Sequence, residues 1–196
     1  MEYQTDKITN KQLDKFIIQN NLPTNSLKIS IPYLYFSDLV NLNWYDILFA
    51  IRNDFMSYQS AVEHAIIEVK RNKDYSETVF DLASLFLDEA DSYTILPLLD
   101  KVIKEIPDEM KKDTKNRILY VLLNWIFEHR ENYKDPLEVV EFVYDDFNFP
   151  KSMKSFVRYE PTDQPLSDNI EENIERLYNN WKDFLDVQRL KYSRKI

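Results

Sequence analysis

Two histidines are the only imidazoles in this 196-residue chain, and they set the first limit on its chemistry. His64 lies near Glu63 and Glu68, and His129 follows Glu128. No His-Glu-x-x-His pattern occurs, and the two histidines do not share a helix at metal-binding spacing, so both read as packing or surface residues. Asp145 and Asp146 are adjacent, which sets them about 100° apart around a helix. They cannot both face one metal ion without help from another element, and they read as a solvated helix end or as contact residues before they read as ligands. Asp88-Glu89-Ala90-Asp91 falls where one helix gives way to the next and lacks the glycine and spacing of a calcium loop. A serine or threonine nucleophile needs an oriented base and an oxyanion hole, and the sequence displays neither. The chain contains no glycine, which removes phosphate loops and dinucleotide fingerprints in their usual forms. It contains no cysteine, which removes disulfides and thiolate metal sites. No catalytic, metal or cofactor-binding residue is assigned. The expectation is a protein that is not an enzyme.

Charge and composition point the same way. A formal net charge of −9 disfavours nucleic acid and anionic membrane as partners and suits a basic protein; the plain alternative is that acidity keeps an aromatic-rich chain soluble. The 13 Tyr and 12 Phe exceed what a core needs, leaving a fraction half-exposed, where Tyr favours protein contact. Met1 to Asp6 lack the basic start and apolar stretch of a secretory signal. The most apolar run, Ile118 to Phe127, is interrupted by Asn124 and is shorter than the ~20 residues that span a bilayer. A cytoplasmic protein is expected.

The elements that must position these residues read as helices. One domain, residues 1–196, is the default at this length. Without glycine, tight turns needing positive φ are hard to make, which argues against a β-rich fold; Asn72 and Asn132 are the expected left-handed helix ends. Thr9 with Gln12 resembles a capping box for a first helix carrying Leu13, Phe16 and Ile17. Residues 28–36 are the least helical stretch, since Ile29, Ile31, Tyr33 and Tyr35 alternate; a short strand is expected at most, confined to an edge or extended loop by Pro32, with Ser37 capping the turn that follows. Helices are expected behind Asn43 (Trp44, Ile47, Leu48, Ile51), from Ser57 (Ala61, Val62, Ala65), from Ser76 (Val79, Leu82, Ala83, Phe86) and from Thr94 (Leu96, Leu99, Ile103), with Pro97 in the first turn. Another opens at Thr114. Asp135-Pro136-Leu137-Glu138 is the strongest helix start, a cap followed by proline at a position that needs no N–H. That helix ends before Pro150, and a short element from Ser152 to Arg158 presents Met153, Phe156 and Val157 on one face. Phe147, Phe149, Phe156 and Tyr159 are expected to cluster, and this stretch, Asp135 to Pro161, to organise the rest. Ser167 caps a last helix whose seam is Ile170, Ile174, Leu177, Trp181, Phe184 and Gln188 and whose end is basic (Arg189, Lys191, Arg194, Lys195). Helix starts recur about every 40 residues, near the two-helix period of HEAT-type arrays. The fold class expected is all-α: a multi-helix single domain of stacked helical hairpins.

Asp135-Pro136-Leu137, then Tyr144-Asp145-Asp146-Phe147-Asn148-Phe149-Pro150, then Phe156-Val157-Arg158-Tyr159-Glu160-Pro161 resembles a family of small uncharacterised bacterial proteins. Its pattern runs Asp-Pro-Leu, Tyr-x-Asp-Phe-x-Tyr-Pro and Phe-Val-x-Tyr-Met-Pro. Phe149 and Glu160 depart from it, and Leu42 to Leu48 is similar to its early tryptophan-bearing helix. The resemblance covers about Tyr33 to Pro161. By analogy it implies an immunity protein of the kind encoded beside polymorphic toxins, binding and blocking a basic toxin domain. The partner-binding residues expected on that basis are Asp145, Asp146 and Glu160 with Tyr144 and Tyr159, and a second patch of Asp88, Glu89 and Asp91. The competing readings are a helical scaffold or adaptor, and a carboxylate-dependent hydrolase needing a third ligand from another helix.

Overall fold

The most apolar run of the sequence lies in a helix, Thr114–Glu128, that is buried on nearly every side. Ile118, Leu119, Tyr120, Val121, Leu122, Leu123 and Ile126 are all buried, the pattern of a helix surrounded by others rather than laid on a surface. This helix, not the stretch from Asp135 to Pro161, is the one the chain is organised around. The computed structural model describes residues 23–71 and 74–192, of which 68% are helical, with no strand. The expected first helix, the Asn72 cap and the cations Arg194 and Lys195 lie outside the described residues.

Among those residues the order is α1 (Tyr33–Leu39), α2 (Trp44–Arg52), α3 (Gln59–Arg71) and α4 (Glu77–Ala83), then a 3₁₀ turn (Leu87–Glu89) and α5 (Ser92–Val102). After a second 3₁₀ turn come the single-turn α6 (Asp108–Lys111), the central α7 (Thr114–Glu128) and α8 (Pro136–Asp146). A longer 3₁₀ element (Lys151–Phe156) leads to α9 (Ile170–Tyr192). Consecutive pairs pack as hairpins, α3 on α4 and α4 on α5. Contacts of α7 with α2, α8 and α9, and of α2 with α5, then fold the row back on itself into one all-α domain around a single apolar cluster.

Several starts are where the side chains place them. Asp135 Oδ1 accepts the N–H groups of Leu137 and Glu138 behind Pro136, and Ser76 caps α4. Asn43 and Asp46 form a full capping box at α2. Asp46 is also fully buried: its carboxylate accepts the Asn43 N–H at 2.9 Å and the Thr114 hydroxyl at 2.5 Å, with Arg117 Nε 3.4 Å away. One cap thereby ties α2 to the start of α7. The residue just before α7 is tied to α9, where Lys191 Nζ and the Tyr192 hydroxyl each reach the Asp113 carboxylate at 2.7 Å.

Other expectations are corrected. Tyr33 and Tyr35 lie in α1, not in a strand: Pro32 supplies the fixed φ of a helix N-terminus, so the period-two pattern stops at Ile31. Ser37 sits inside α1, its hydroxyl donating to the Leu34 carbonyl. Asp91, not a residue at Thr94, caps α5, which puts Pro97 in the second turn and the buried stripe on Ile95, Leu99 and Val102. Asn132 ends a 3₁₀ turn without a left-handed backbone; the positive φ values belong to Lys28, Asp54, Asn148 and Phe149. On α9, Leu177, Trp181, Leu185 and Tyr192 are buried, whereas Ile170 and Ile174 are exposed because the helix starts beyond the core's edge.

Candidate functional site

The corner built by α8 and the element after it carries three of the six acidic residues expected to bind a partner, Asp145, Asp146 and Glu160. Arg158 lies between two carboxylates, its Nε and Nη2 each 2.8 Å from Glu141 and its Nη1 2.7 Å from Asp135. The Glu141 bonds raise the guanidinium's already high pKa, and the clamp holds the cap of α8 against the Val157–Pro161 return. Tyr144 is fully buried and donates to Glu160 at 2.6 Å, while Lys154 pairs with the other Glu160 oxygen at 2.8 Å. Burial and the Glu160 carboxylate push the Tyr144 phenol up; the Lys154 bond holds Glu160 below the usual carboxylate range. Tyr159 donates to Asp145 at 3.0 Å, and burial together with that bond raises it to about 12. Asp146 accepts from the Thr24 hydroxyl and from the Ser26 N–H and hydroxyl, holding residues 23–26 against the end of α8.

The four aromatics expected to cluster divide among three settings. Phe147 packs on Phe55, Phe149 and Tyr159 each pack on Tyr144, and Phe156 lies between Trp181 and Phe184. Phe149 and Tyr159 are both 56% exposed. Phe149 follows Asn148 in the left-handed region, φ 54° and 59°, a costly backbone for a bulky residue; it arises because α8 must turn sharply without glycine.

A second surface differs in both charge and shape. From Asp74 to Asp100 the sequence has seven carboxylates and no Lys or Arg. Asp100 is taken by Arg52 at 2.7 Å. Asp74, Glu77, Asp81, Asp88, Glu89 and Asp91 are exposed and, among the described residues, form no ion pair. Tyr75, Phe80, Phe86, Leu87 and Tyr93 are exposed among them. Helical spacing groups Phe86 with Val79 and Leu82, but α4 stops at Ala83, so the chain leaves the helix before Phe86 can share their face. The sequence signal for this surface was the missing Lys and Arg rather than any motif.

The third place is internal. His64 on α3 shares a hydrogen bond of 3.0 Å with the Tyr33 hydroxyl through Nδ1, and the Trp44 ring meets it edge-on at 4.5 Å. Its Nε2 is 3.9 Å from Glu68, whose carboxylate accepts the Trp44 N–H at 2.8 Å. Burial, and secondarily Arg71, push the His64 imidazole down to about 4. A cavity of about 150 Å³ opens beside it, lined also by Ser37, Asn41 and Arg71. His129 is elsewhere, stacked on Trp125 at 3.9 Å, its Nδ1 2.8 Å from the Trp125 carbonyl. Each imidazole is held by local aromatic packing. Among the described residues no three His, Asp or Glu side chains are grouped to hold a metal ion, and no helix is long and apolar enough to cross a membrane.

No curated protein and no solved structure matches the chain. A family model does, over residues 33–189, beginning where the sequence resemblance begins and running past Pro161 through most of α9. The chain belongs to that family, described as an uncharacterized protein conserved in bacteria, DUF2247.

Proposed function

We propose that this protein is a binding module for a basic protein, most concretely an immunity protein that occludes a cognate toxin domain in the cytoplasm, with no catalytic activity of its own. One observation carries the reading: six exposed carboxylates lie between Asp74 and Asp91, a stretch without Lys or Arg, and among the described residues they form no ion pair. Unneutralised charge of one sign accelerates encounter with an opposite surface and penalises wrong partners. Of the residues expected to bind a partner, Asp88, Glu89 and Asp91 fit this role best. Asp145, Asp146 and Glu160 form a secondary rim, with Tyr159 as its exposed ring, since side chains of Tyr159, Thr24, Ser26 and Lys154 already occupy their carboxylates, whereas Glu89 and Asp91 cap backbone N–H groups and form no ion pair among the described residues. Tyr144 supports that rim from beneath. The test is co-expression with a toxin domain encoded beside the gene. Protection, and a complex that co-purifies and weakens with salt, is the expected result. Metal-dependent turnover by the purified protein, abolished by Asp145→Ala or Asp146→Ala, would defeat it.

A further inference from the structure

We propose that the outer face of α4, the 3₁₀ turn after it and the first turn of α5 form the docking surface, and that its occupant is a basic protein presenting an apolar strip rimmed by Lys and Arg. The inference rests on the reading that this chain binds a basic protein, and adds where and through which side chains it does so.

The apolar half of the surface is unusually open. Tyr93 is 90% exposed, Phe86 73%, and Phe80 and Leu87 51% each. Tyr75 stacks on Phe80 at 6.1 Å, so the two rings present one broad plate. At ~200 Å² per large side chain, the five exposed residues offer roughly 600 Å² of apolar surface, the upper end for a single patch on a monomer. Tyrosine and phenylalanine in such positions bring large contact area at low ordering cost.

The backbone under these rings is fixed by the same carboxylates that charge the surface. Glu89 reaches back to accept the Phe86 N–H at 2.9 Å, and Asp91 accepts the Thr94 N–H at 2.8 Å. The Ser84 hydroxyl donates to the Phe80 carbonyl at 2.8 Å, closing the end of α4. Beneath them Val79, Leu82, Ala90 and Ile95 are buried, anchoring each turn to the core. A surface held this way loses little freedom when it is covered.

Charge selects the occupant. A neutral apolar partner would strip water from Asp74, Glu77, Asp81, Asp88, Glu89 and Asp91 and return nothing. A second copy would set the same six carboxylates against themselves, and anionic lipid or nucleic acid would be repelled. A basic protein surface satisfies the carboxylates at the rim and buries the rings at the centre. At the α8 corner, by contrast, Arg158 and Lys154 already occupy that place.

The full chain, labelled with ¹⁵N, is titrated at low salt with a Lys/Leu amphipathic helical peptide and with a lysine-only peptide of equal charge. The expected result is that the amphipathic peptide binds at least about tenfold more tightly. Its amide shifts should fall between Tyr75 and Thr94, and the double variant Phe86→Ser, Tyr93→Ser should erase the advantage without changing the fold. Asp81→Asn with Asp88→Asn should weaken both peptides. Shifts centred on Asp145–Pro161, or equal affinity for the two peptides, would overturn the docking surface and leave the basic-partner reading in place. Failure of both cationic peptides, or preferential binding of phosphatidylglycerol vesicles, would overturn that reading and this inference together.

Discussion

His64 offers a direct measure of how tightly the first three helices close. Its side chain is 12% exposed, enclosed by Tyr33, Trp44 and Glu68, and burial pushes its pKa to about 4. In the unfolded chain the imidazole titrates near 6.5. Between those values the unfolded state binds the proton and the folded state does not, so stability is complete above about pH 7 and is lost as pH falls through this window. The difference between the two values corresponds to about 3 kcal/mol in all, of which about 2 kcal/mol is lost between pH 7 and pH 5. Glu68 opposes this trend: burial raises its pKa, so it favours the fold as it protonates, and Arg71 also lines the site. Urea denaturation across pH 5 to 7.5 should therefore be read as a difference between wild type and His64→Gln, which keeps a polar partner for the Tyr33 hydroxyl. The variant should lose the His64 part of the slope. NMR titration of the wild-type ring gives a second readout, with the imidazole neutral down to pH 5. Equal slopes in the two proteins, or a ring titrating above pH 6, would refute the argument.

Three further outcomes follow from the packing. Phe147→Ala should cost roughly 3–5 kcal/mol by chemical denaturation, because the ring is 1% exposed against Phe55; a loss below about 1 kcal/mol would mean that side chain is not part of the core. Asp46→Ala leaves the Thr114 hydroxyl and Arg117 without their carboxylate in a buried place, and should destabilise by about 3–5 kcal/mol, with hydrogen exchange accelerated in the first turns of both α2 and α7. Exchange that changes in α2 alone would show that the cap does not join the two helices. Arg158→Lys loses the paired geometry on Glu141 but is partly exposed, so the loss should stay within about 1 kcal/mol and shrink with salt.

How much of this was legible in the sequence depended on whether the signal was local. Helix starts at Asn43, Ser76 and Asp135 could be read because a cap and the N–H groups it serves lie within three residues of each other. The same holds for the all-α class, which follows from repeated caps and absent glycine. Asp46 was legible only in part. Its role in the capping box is local, whereas its bond to Thr114 joins residues 68 positions apart that nothing in either segment announces. Pro32 shows the opposite failure, a strong local signal read in the wrong sense. Proline ends a strand and begins a helix equally well, and only the burial of Tyr33 and Phe36 in the core decides between them. Phe86 was misplaced because periodicity assumes the helix continues, and α4 ends three residues earlier.

The candidate surfaces follow the same division between local and distant signals. Counting carboxylates finds both acidic stretches but cannot rank them, since ranking depends on where the cations fold. Arg158 and Lys154 follow α8 closely enough in sequence to return to its corner through the 3₁₀ element, where they pair with Asp135, Glu141 and Glu160, while Asp145 and Asp146 accept hydrogen bonds from Tyr159, Thr24 and Ser26. After Asp74, no cation occurs until Lys101, and α5 carries that residue away along the helix. Both stretches hold several carboxylates and exposed rings, but among the described residues the α8 corner has ion pairs at Asp135, Glu141 and Glu160 and the stretch from Asp74 to Asp91 has none. The unpaired stretch spends its caps, Glu89 and Asp91, on fixing the backbone that carries Phe86 and Tyr93. A chain selected only for solubility has no need to hold exposed aromatic rings on a fixed backbone between carboxylates that form no ion pair among the described residues, and this combination favours a partner over simple solvation.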